Sequence, residues 1–498
     1  MSHEPLTTTA EHTLKREFSL WSSFAFAFAF ISPIVALYGI FGLAISTAGP
    51  TFWFGFFLVF GGQLLVAFVF AQLVSRWPIE GSIYQWSRRL IGTGYGWFAG
   101  WAYMWTLVIA MATVALGAAG FMANIFGLDA PTGTQRAWIA FAILLGGTGL
   151  NLIGRQALKI FMTASIAAEV IGSLGLGTWL LLFHRNQPLS ALTDGLGSGT
   201  GGDYLSLSGP FLVAVAFIGW SFVGFESAGA IAEEVHEPRR NLPKAIIFSL
   251  CFIAVVVIYS SLAIILAIPD MSAVTSAPTD PNHVVDPVYS TLTAALGDGI
   301  AKPVEVLFVI GFLASFLALQ TSASRVIWAY ARDGALPAAR ALTRLSKVQK
   351  EPTVAILVTT VIGTALFLLS NVSPNIYLLM VNFTTGGFFL AFLFPLVGAL
   401  VVQLRGTWRP GPFTLGRGSL LVTILAVVWA TFEFLNISWP RAVNAERFLD
   451  WSVWIAVAVL GVVGVLIFVS VRSRIVAVEL IDEEELEDEL ADQSTPSA

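Results

Sequence analysis

Cysteine and charge are both scarce in this sequence of 498 residues. Cys251 is the only cysteine, which excludes an intrachain disulfide and a metal site built from several thiolates. Charged residues make up 11% of the chain, whereas they account for about 25% of a typical soluble protein. The five histidines fall in predicted tails, loops or helix ends, which argues against a histidine-bound metal or a buried histidine proton relay.

Sequence motifs of common hydrolytic sites are missing as well. We find no HExxH motif, Cys/His cluster or GxSxG elbow within the apolar segments. A membrane-embedded enzyme is therefore disfavoured. We expect no cofactor, no metal and no nucleic-acid partner.

Long apolar segments are abundant. Hydrophobic residues make up 56% of the chain, and runs of about 20 residues, enough to cross a hydrocarbon layer about 30 Å thick, recur along it. Twelve such runs predict helices 1 to 12, at about 20–45, 52–74, 97–126, 136–152, 158–183, 211–232, 245–268, 304–328, 354–369, 376–402, 420–434 and 452–471. The first run has no cleavage site of small residues after a short apolar core, so it is predicted to be retained. These runs predict an all-α polytopic membrane protein solvated by the lipid bilayer.

The basic residues are distributed unevenly over the predicted loops. With the N-terminus in the cytoplasm, 21 of the 26 lysines and arginines lie on the cytoplasmic side. The five on the other side are Arg136, Arg185, Lys302, Arg441 and Arg447. Because short basic loops remain in the cytoplasm, we predict that both termini are cytoplasmic and that the protein lies in the cell membrane. The predicted tails are 1–17 and the acidic segment 475–498.

Helices 1 and 6 each carry a predicted interruption. Pro33 lacks an amide hydrogen and disfavours helical geometry at Ser32, and helix 6 carries Gly224 close to Glu226. One such break alone is more simply a packing kink. Matched breaks five helices apart indicate an inverted repeat with a site between them at the membrane midplane. We predict repeats over about 18–185 and 209–405 and two extra helices over about 419–471, within one membrane domain spanning 18–474.

Glu226 and Glu169 lie well inside predicted helices 6 and 5. A carboxylate near the bilayer centre costs at least a few kcal/mol, so it normally has a partner or a water-filled cavity. Glu226 is interpreted either as a proton or cation site or as an acceptor for amides freed by the break. Glu169 is interpreted either as a proton or cation site or as one side of a hydrogen bond between helices. Glu433 on helix 11 is interpreted as structural or interfacial.

The backbone groups freed at the two breaks suit a small molecule with two charges. The amides of Ile34 and Val35 lie at the positive end of a half-helix and can receive a carboxylate, while carbonyls before the helix 6 break can receive an ammonium group. Trp220 stands beside that break, where an indole either stacks over a ligand or serves in plain packing. This chemistry favours an amino acid or another small amine.

Four motifs resemble those of the amino acid-polyamine-organocation superfamily, and within it the amino acid/choline permease branch that includes GABA permeases. They are RWPIEGSIYQWSRRLIGTGYGWFAGW after helix 2, WSFVGFESAGAIAEEVHEPRRNLPKAI from helix 6 onward, SRVIWAYARDGALP at the end of helix 8 and FISPIVALYGIFG in helix 1. The resemblance covers about 18–474, which it identifies as a permease domain. It implies a LeuT-type fold with a five-plus-five inverted repeat, broken helices 1 and 6, two extra helices, and secondary transport by alternating access.

The resemblance also implies a substrate site between helices 1, 3, 6, 8 and 10. The segment that would hold the substrate carboxylate comprises Ser32, Pro33, Ile34 and Val35. Trp220 and Val223 would offer carbonyls to the amine, Trp220 would act as an aromatic gate, and Gly224 would open the backbone. Tyr103 and Met104 on helix 3 are expected pocket residues.

Ion coupling is assigned by the resemblance to Glu226, which matches a helix 6 glutamate tied to coupling in some members. Glu169 stands where many proton-coupled relatives have a lysine on helix 5, so a lysine mechanism does not carry over. The expected function is proton-coupled symport of an amino acid or small amine, with exchange and sodium coupling as alternatives. A nutrient sensor built on a transporter fold is an alternative of a different class.

Overall fold

The computed structural model of the protein describes residues 19–128, 131–195, 203–276, 280–347, 349–373, 376–441 and 447–477. The predicted N-terminal tail, 1–17, and all but 475–477 of the predicted C-terminal tail lie outside the described residues. Within the described ranges the regular elements are helices, as predicted for an all-α protein.

Twelve helices are long and apolar enough to cross a membrane, which confirms the predicted number for the part of the chain that the structure describes. Helices 1 to 12 are Leu20–Tyr38, Pro50–Arg76, Thr93–Ile125, Gly133–Ile153, Leu158–Phe183, Pro210–Glu234, Pro238–Ala267, Asp298–Arg332, Thr353–Asn371, Ile376–Arg405, Gly416–Ser438 and Ser452–Val471. Helix 1 ends earlier than predicted, because the chain turns after Tyr38 and forms a separate short helix, Phe41–Ala48.

The connecting segments carry further short helices. They are Ile83–Leu90, Met271–Thr275, Pro287–Leu296, Ala339–Leu342 and Arg447–Asp450. Pro287–Leu296 follows directly from its sequence, since Asp286 caps it by accepting the amides of Val288 and Tyr289 at 3.0 Å each and Gly297 ends it with φ +71°.

The break in helix 1 lies where it was predicted. One α-helix ends at Ile31, Ser32 has φ +50°, and a second α-helix runs over Pro33–Tyr38 with the proline at its first position. A proline is favourable there because its missing amide hydrogen would have had no partner in the helix. Helix 1 therefore consists of two halves joined at Ser32.

Helix 6 is interrupted as well. An α-helix over Pro210–Ile218 tightens into a 3₁₀ turn over Gly219–Phe222, Val223 is extended, and Gly224 is left-handed with φ +104°. A Cβ atom on Gly224 would lie 2.4 Å from the ring of Phe30 on helix 1. This position therefore requires glycine both for its backbone conformation and for the close approach of helix 1.

The broken helices lie in the interior of the bundle, whereas helix 12 lies at its periphery. The first half of helix 1 packs against helices 7 and 8 and the second half of helix 6, and helix 3 packs along helix 8. On helix 12, Val459, Val462, Leu466 and Val469 are exposed, as expected for side chains in contact with lipid tails. This arrangement brings both breaks to the middle of the molecule.

Candidate functional site

A small cavity lies between the two broken helices. Its volume is about 20 Å³, which is room for about one water molecule and too little for an amino acid. Ten residues from helices 1, 3, 6, 8 and 10 line it: Phe30, Ile31, Val35, Ala110, Val114, Trp220, Val223, Ser315, Leu319 and Phe388. The hydroxyl of Ser315, the one hydroxylated side chain in this lining, donates to the carbonyl of Phe30 at 2.7 Å. The side chains facing this cavity are therefore almost entirely apolar.

Glu169 binds the break of helix 1. Its Oε1 accepts a hydrogen bond from the hydroxyl of Ser32, and its Oε2 accepts one from the amide of Ile34 at 2.9 Å. The carboxylate is buried, and it stands directly before a π-helical turn, Val170–Gly175. Such turns are frequent at functional sites. A helix 5 carboxylate thus occupies two of the donors that were predicted to bind a substrate carboxylate.

The next two amides of helix 1 are also occupied. The amide of Val35 donates to the hydroxyl oxygen of Ser32 at 3.3 Å, and that of Ala36 donates to the carbonyl of Ser32 at 2.7 Å. The Val35 bond is slightly longer than the usual N–H···O range of 2.7–3.2 Å. Because Val35 also lines the cavity, its amide is the donor at this break that a bound molecule could most readily take over.

Glu226 connects the break in helix 6 to helix 3. Its Oε2 accepts the amide of Gly224 at 3.1 Å, and its Oε1 accepts the hydroxyl of Tyr103 at 2.9 Å. Both side chains are fully buried. The glutamate therefore does accept an amide freed by the break, and it also makes a hydrogen bond to a second helix.

Two side chains of helix 6 hold the second half of helix 1. The indole nitrogen of Trp220 donates to the carbonyl of Val35 at 3.3 Å, and the hydroxyl of Ser221 donates to the carbonyl of Ala36 at 2.5 Å. The two breaks are therefore joined by direct hydrogen bonds, and a movement of either half-helix must disturb the other.

The structure brings together some of the predicted substrate residues and separates others. Val35, Trp220 and Val223 line the cavity. Ser32 and Ile34 are directed to Glu169, and Pro33 begins the second half of helix 1.

The remaining predicted residues lie away from the cavity lining. Tyr103 binds Glu226, Gly224 packs on Phe30, and Met104 is buried in helix 3 without lining the cavity. In helix 3 the lining residues are Ala110 and Val114, which follow Tyr103 by seven and eleven positions. This spacing keeps them on the face of Tyr103, about 10 and 16 Å further along the helix. Helical periodicity was the signal that could have identified them.

A larger cavity of about 440 Å³ opens towards the predicted outer end of the bundle. Its walls include Tyr38, Arg136, Asp286 and Tyr377, and the guanidinium of Arg136 lies 4.4 Å from the centre of the Tyr377 ring. Only a thin layer separates this vestibule from the small cavity. At Gly39, a Cβ would be 2.8 Å from the hydroxyl of Tyr377 and 3.6 Å from the indole nitrogen of Trp220.

The opposite, predicted cytoplasmic end is closed by ion pairs. Arg325 on helix 8 contacts Glu234 and Glu351 at 2.9 Å each, and all three side chains are buried. Arg332 pairs with Glu233 at 3.4 Å. These contacts join the ends of helices 6 and 8 to the segment before helix 9.

A second ion pair lies beside this cluster. Arg88 pairs with Asp333, and Arg88 also donates to the carbonyl of Val476 at 2.6 Å. The segment after helix 12 is thereby attached to the loop after helix 2.

Glu80 is buried in the same cluster. Neither of its carboxylate oxygens has a hydrogen-bond partner among the described residues, although its amide donates to Glu233 at 3.3 Å. Burial raises the pKa of the Glu80 carboxyl well above its usual range; the nearby charges of Glu234 and Glu233 raise the pKa further, whereas Arg325 and Arg332 oppose that shift. Glu80 is thus a carboxyl that tends to remain neutral within a closed end of the protein.

Comparison with known proteins identifies a family. The amino acid permease family model matches residues 18–465. An amino-acid permease BAT1 homolog of Oryza sativa subsp. japonica is 25% identical over 447 residues, covering 86% of this chain and 85% of that protein. The branched-chain amino acid permease BcaP of Bacillus subtilis is 26% identical over 468 residues, covering 89% and 92%. A methylthioribose transporter of Bacillus subtilis is 28% identical over 303 residues, covering 59% and 62%.

Proposed function

This chain belongs to the amino acid permease family, and we propose that it is a proton-coupled symporter of neutral amino acids that works by alternating access. Membership of the family makes it a transporter in a membrane, not an enzyme. The proposal concerns the coupling ion, the substrate and the residues that bind each of them.

The hydrogen bonds between Glu169 and the break of helix 1 are the observation that carries the proposal. In our scheme the substrate carboxylate takes the amide of Val35 at the cavity, one residue from the amide of Ile34 that Glu169 holds. Two negative charges at one break repel each other, so the arrival of the substrate favours a proton on Glu169. Substrate and proton then bind together, which is the requirement for symport.

Glu226 is assigned the second coupling role. Its two hydrogen bonds connect the backbone at Gly224 to Tyr103 on helix 3. A proton on Glu226 would weaken it as an acceptor, because charge-assisted hydrogen bonds are the stronger ones. Protonation would therefore release helix 6 from helix 3 and allow its inner half to move.

The cavity lining supports a substrate with a small apolar side chain. Apart from Ser315, its walls are aliphatic and aromatic, and the carbonyls of Trp220 and Val223 are assigned to the substrate amine. Two relatives bear the name branched-chain amino acid permease, which agrees with this assignment. Since the cavity holds about one water molecule in the conformation described, substrate must widen it by moving the half-helices.

Alternating access is supported by the contrast between the two ends of the molecule. A vestibule of about 440 Å³ reaches the layer formed at Gly39, Trp220 and Tyr377, whereas buried ion pairs close the other end. We assign the vestibule to the outside of the cell, both termini to the cytoplasm and the protein to the plasma membrane. Trp220 is the gate between vestibule and cavity.

The test is uptake of labelled amino acids into proteoliposomes that contain the purified protein, with protein-free liposomes as the control. We expect accumulation of aliphatic amino acids driven by an inward proton gradient and abolished by a protonophore. Accumulation that requires a sodium gradient would contradict proton coupling and indicate a sodium-coupled symporter. Exchange without accumulation would indicate an exchanger, and the absence of any movement across a broad panel would favour a nutrient sensor.

A further inference from the structure

Glu433 on helix 11 is a buried carboxyl whose oxygens have no hydrogen-bond partner within the described ranges. Its side chain is fully buried, and neither carboxylate oxygen accepts a hydrogen bond from a described residue. Buried polar groups are nearly always hydrogen-bonded, so an exception requires an explanation. The scheme proposed for Glu169 and Glu226 makes no use of this residue.

The carboxyl faces the point where helix 6 changes its geometry. Its Oε2 lies 3.5 Å from the position that a Cβ on Gly219 would take, and Gly219 begins the 3₁₀ turn between the α-helical part of helix 6 and its break. Thr385 on helix 10 packs against the same glycine, with its Cγ2 3.0 Å from the position of a Cβ on Gly219. The hydroxyl of Thr385 is buried and also has no partner among the described residues.

Two polar groups act on the buried Glu433: the side chain of Asn436, one turn further along helix 11, and the charged Arg441 in the segment after it. The side-chain amide of Asn436 donates to the carbonyl of Leu212 at 2.9 Å. The guanidinium of Arg441 is already held by the carbonyl of Leu207 at 3.0 Å and by the carbonyl and side chain of Asn436. Glu433 and Arg441 do not form an ion pair in the described part of the chain. Arg441 therefore lowers the energy of an ionised Glu433 without neutralising it.

The space around Glu433 decides which ligand it can hold. Side-chain atoms of Thr385 and Phe389 lie 3.0 and 3.1 Å from the position that a Cβ on Gly219 would take. This leaves no room beside the glycine for a metal ion with several oxygen ligands. A proton needs no volume. An ionised carboxylate left buried without a partner is costly by several kcal/mol, and such groups usually become neutral instead.

We propose that Glu433 is a third proton-binding site, which holds a proton while Gly219 packs against it and releases the proton when helix 6 moves away and water reaches the carboxyl. The binding of the proton stands on the burial and the missing partners alone. Its part in coupling rests on the proposed transport function. On this account helix 11, outside the ten repeat helices, takes part in the transport cycle by detecting the position of helix 6.

Infrared spectroscopy of the purified protein at neutral pH tests the proton directly. The difference spectrum between the wild type and E433Q should show the carbonyl stretch of one protonated carboxyl group, because E433Q has lost that group. E233Q is the matched control, because Glu233 is partly exposed and paired with Arg332, and its difference spectrum should show the loss of a carboxylate band instead. A carboxylate band lost from E433Q would overturn the proposal whether or not the protein transports amino acids.

The coupling role is tested by counting protons per substrate in proteoliposomes, from the proton gradient that balances a known substrate gradient. E433Q has the size of the neutral acid and should fold, so we expect transport with one fewer proton per substrate than the wild type. An unchanged proton count, together with a lost protonated-carboxyl band, would show that Glu433 keeps its proton throughout the cycle and would refute the coupling role.

Discussion

The Oε2 atom of Glu169 accepts the amide of Ile34 at 2.9 Å, across 135 positions of sequence. A side chain of helix 5 thereby satisfies the backbone that Pro33 and Ser32 expose in helix 1. The bond gives the break a hydrogen-bond acceptor in the absence of substrate. In the proposed scheme, the position of the second half of helix 1 depends on the charge of this single carboxyl.

The substitution E169Q tests this dependence. Glutamine can still accept hydrogen bonds but carries no charge, and hydrogen bonds to charged groups contribute about 1.5–3 kcal/mol against about 1 for neutral pairs. We expect accumulation driven by a proton gradient to fall by roughly tenfold or more, while exchange of internal for external substrate continues. The measurement compares both assays in proteoliposomes. Equal loss in the two assays, with unchanged protein yield, would contradict a coupling role and favour a structural one.

A double-mutant cycle on Tyr103 and Glu226 tests whether their hydrogen bond links helices 3 and 6. Y103F removes the donor to Oε1 of Glu226 and should slow gradient-driven uptake by a factor that corresponds to about 1–3 kcal/mol for a buried acceptor left without its partner. In an E226Q background the same change should have little further effect, because the charged acceptor is already gone. Additive effects would indicate that the two side chains act independently.

Gly224 should not tolerate a methyl group. G224A would have to adopt φ near +104° and would place its Cβ 2.4 Å from the ring of Phe30, so we expect a large loss of thermal stability in detergent. Gly61 on helix 2 is the matched control, since its Cβ position has no described atom within 4 Å beyond its chain neighbours and the backbone of its own helix. G61A should be neutral or stabilising by up to about 1 kcal/mol. A G224A protein as stable as the wild type would show that the break is not held by this glycine.

Local sequence signals predicted the two breaks, because each depends on the backbone preferences of one or two residues. Pro33 and Gly224 interrupt their helices wherever those helices pack. The partner of Glu169 could not be predicted in this way. The contact depends on how helix 5 is rotated against helix 1, and composition does not determine that rotation.

The residues that line the cavity likewise include some that the sequence predicted and others that it did not. Val35, Trp220 and Val223 were predicted because they lie at the breaks. Ala110, Val114 and Leu319 lie on uninterrupted helices, where many small or apolar residues would serve equally well. Helical periodicity places Ala110 and Val114 on the face of Tyr103, but the relative height of the helices decides which residues of that face reach the cavity, and that height is a property of the packed bundle.

Arg325 should be required for closure of the predicted cytoplasmic end. R325Q would leave Glu234 and Glu351 buried without their arginine, and breaking a buried ion pair in this way costs about 3–5 kcal/mol. We expect a cysteine placed at the buried Ser227 of helix 6, in a C251S background, to react faster with an impermeant thiol reagent when R325Q is present. R340Q, at an exposed arginine of the same end, is the control and should leave the rate unchanged. Equal rates in both variants would mean that other contacts close this end.

Glu80 should make the same closure dependent on pH. Its pKa is raised in the closed conformation. At a pH between the ordinary carboxyl pKa and the raised value, the closed state therefore still holds a proton that the open or unfolded state has lost. The stabilising effect is therefore complete at acidic pH and is lost as the pH rises through the raised pKa. Above that pKa an ionised Glu80 adds repulsion towards Glu233 and Glu234.

The pH dependence is measured with the same cysteine at Ser227. Its reaction rate, corrected for the reactivity of a free thiol at each pH, should increase as the pH rises in the protein with Glu80. E80Q, which cannot ionise, should remove this increase. E237Q, at an exposed glutamate nearby, should retain it. If the rate rises equally in E80Q and in the protein with Glu80, the pH response comes from another group, and Glu80 is a neutral packing residue of the closed end.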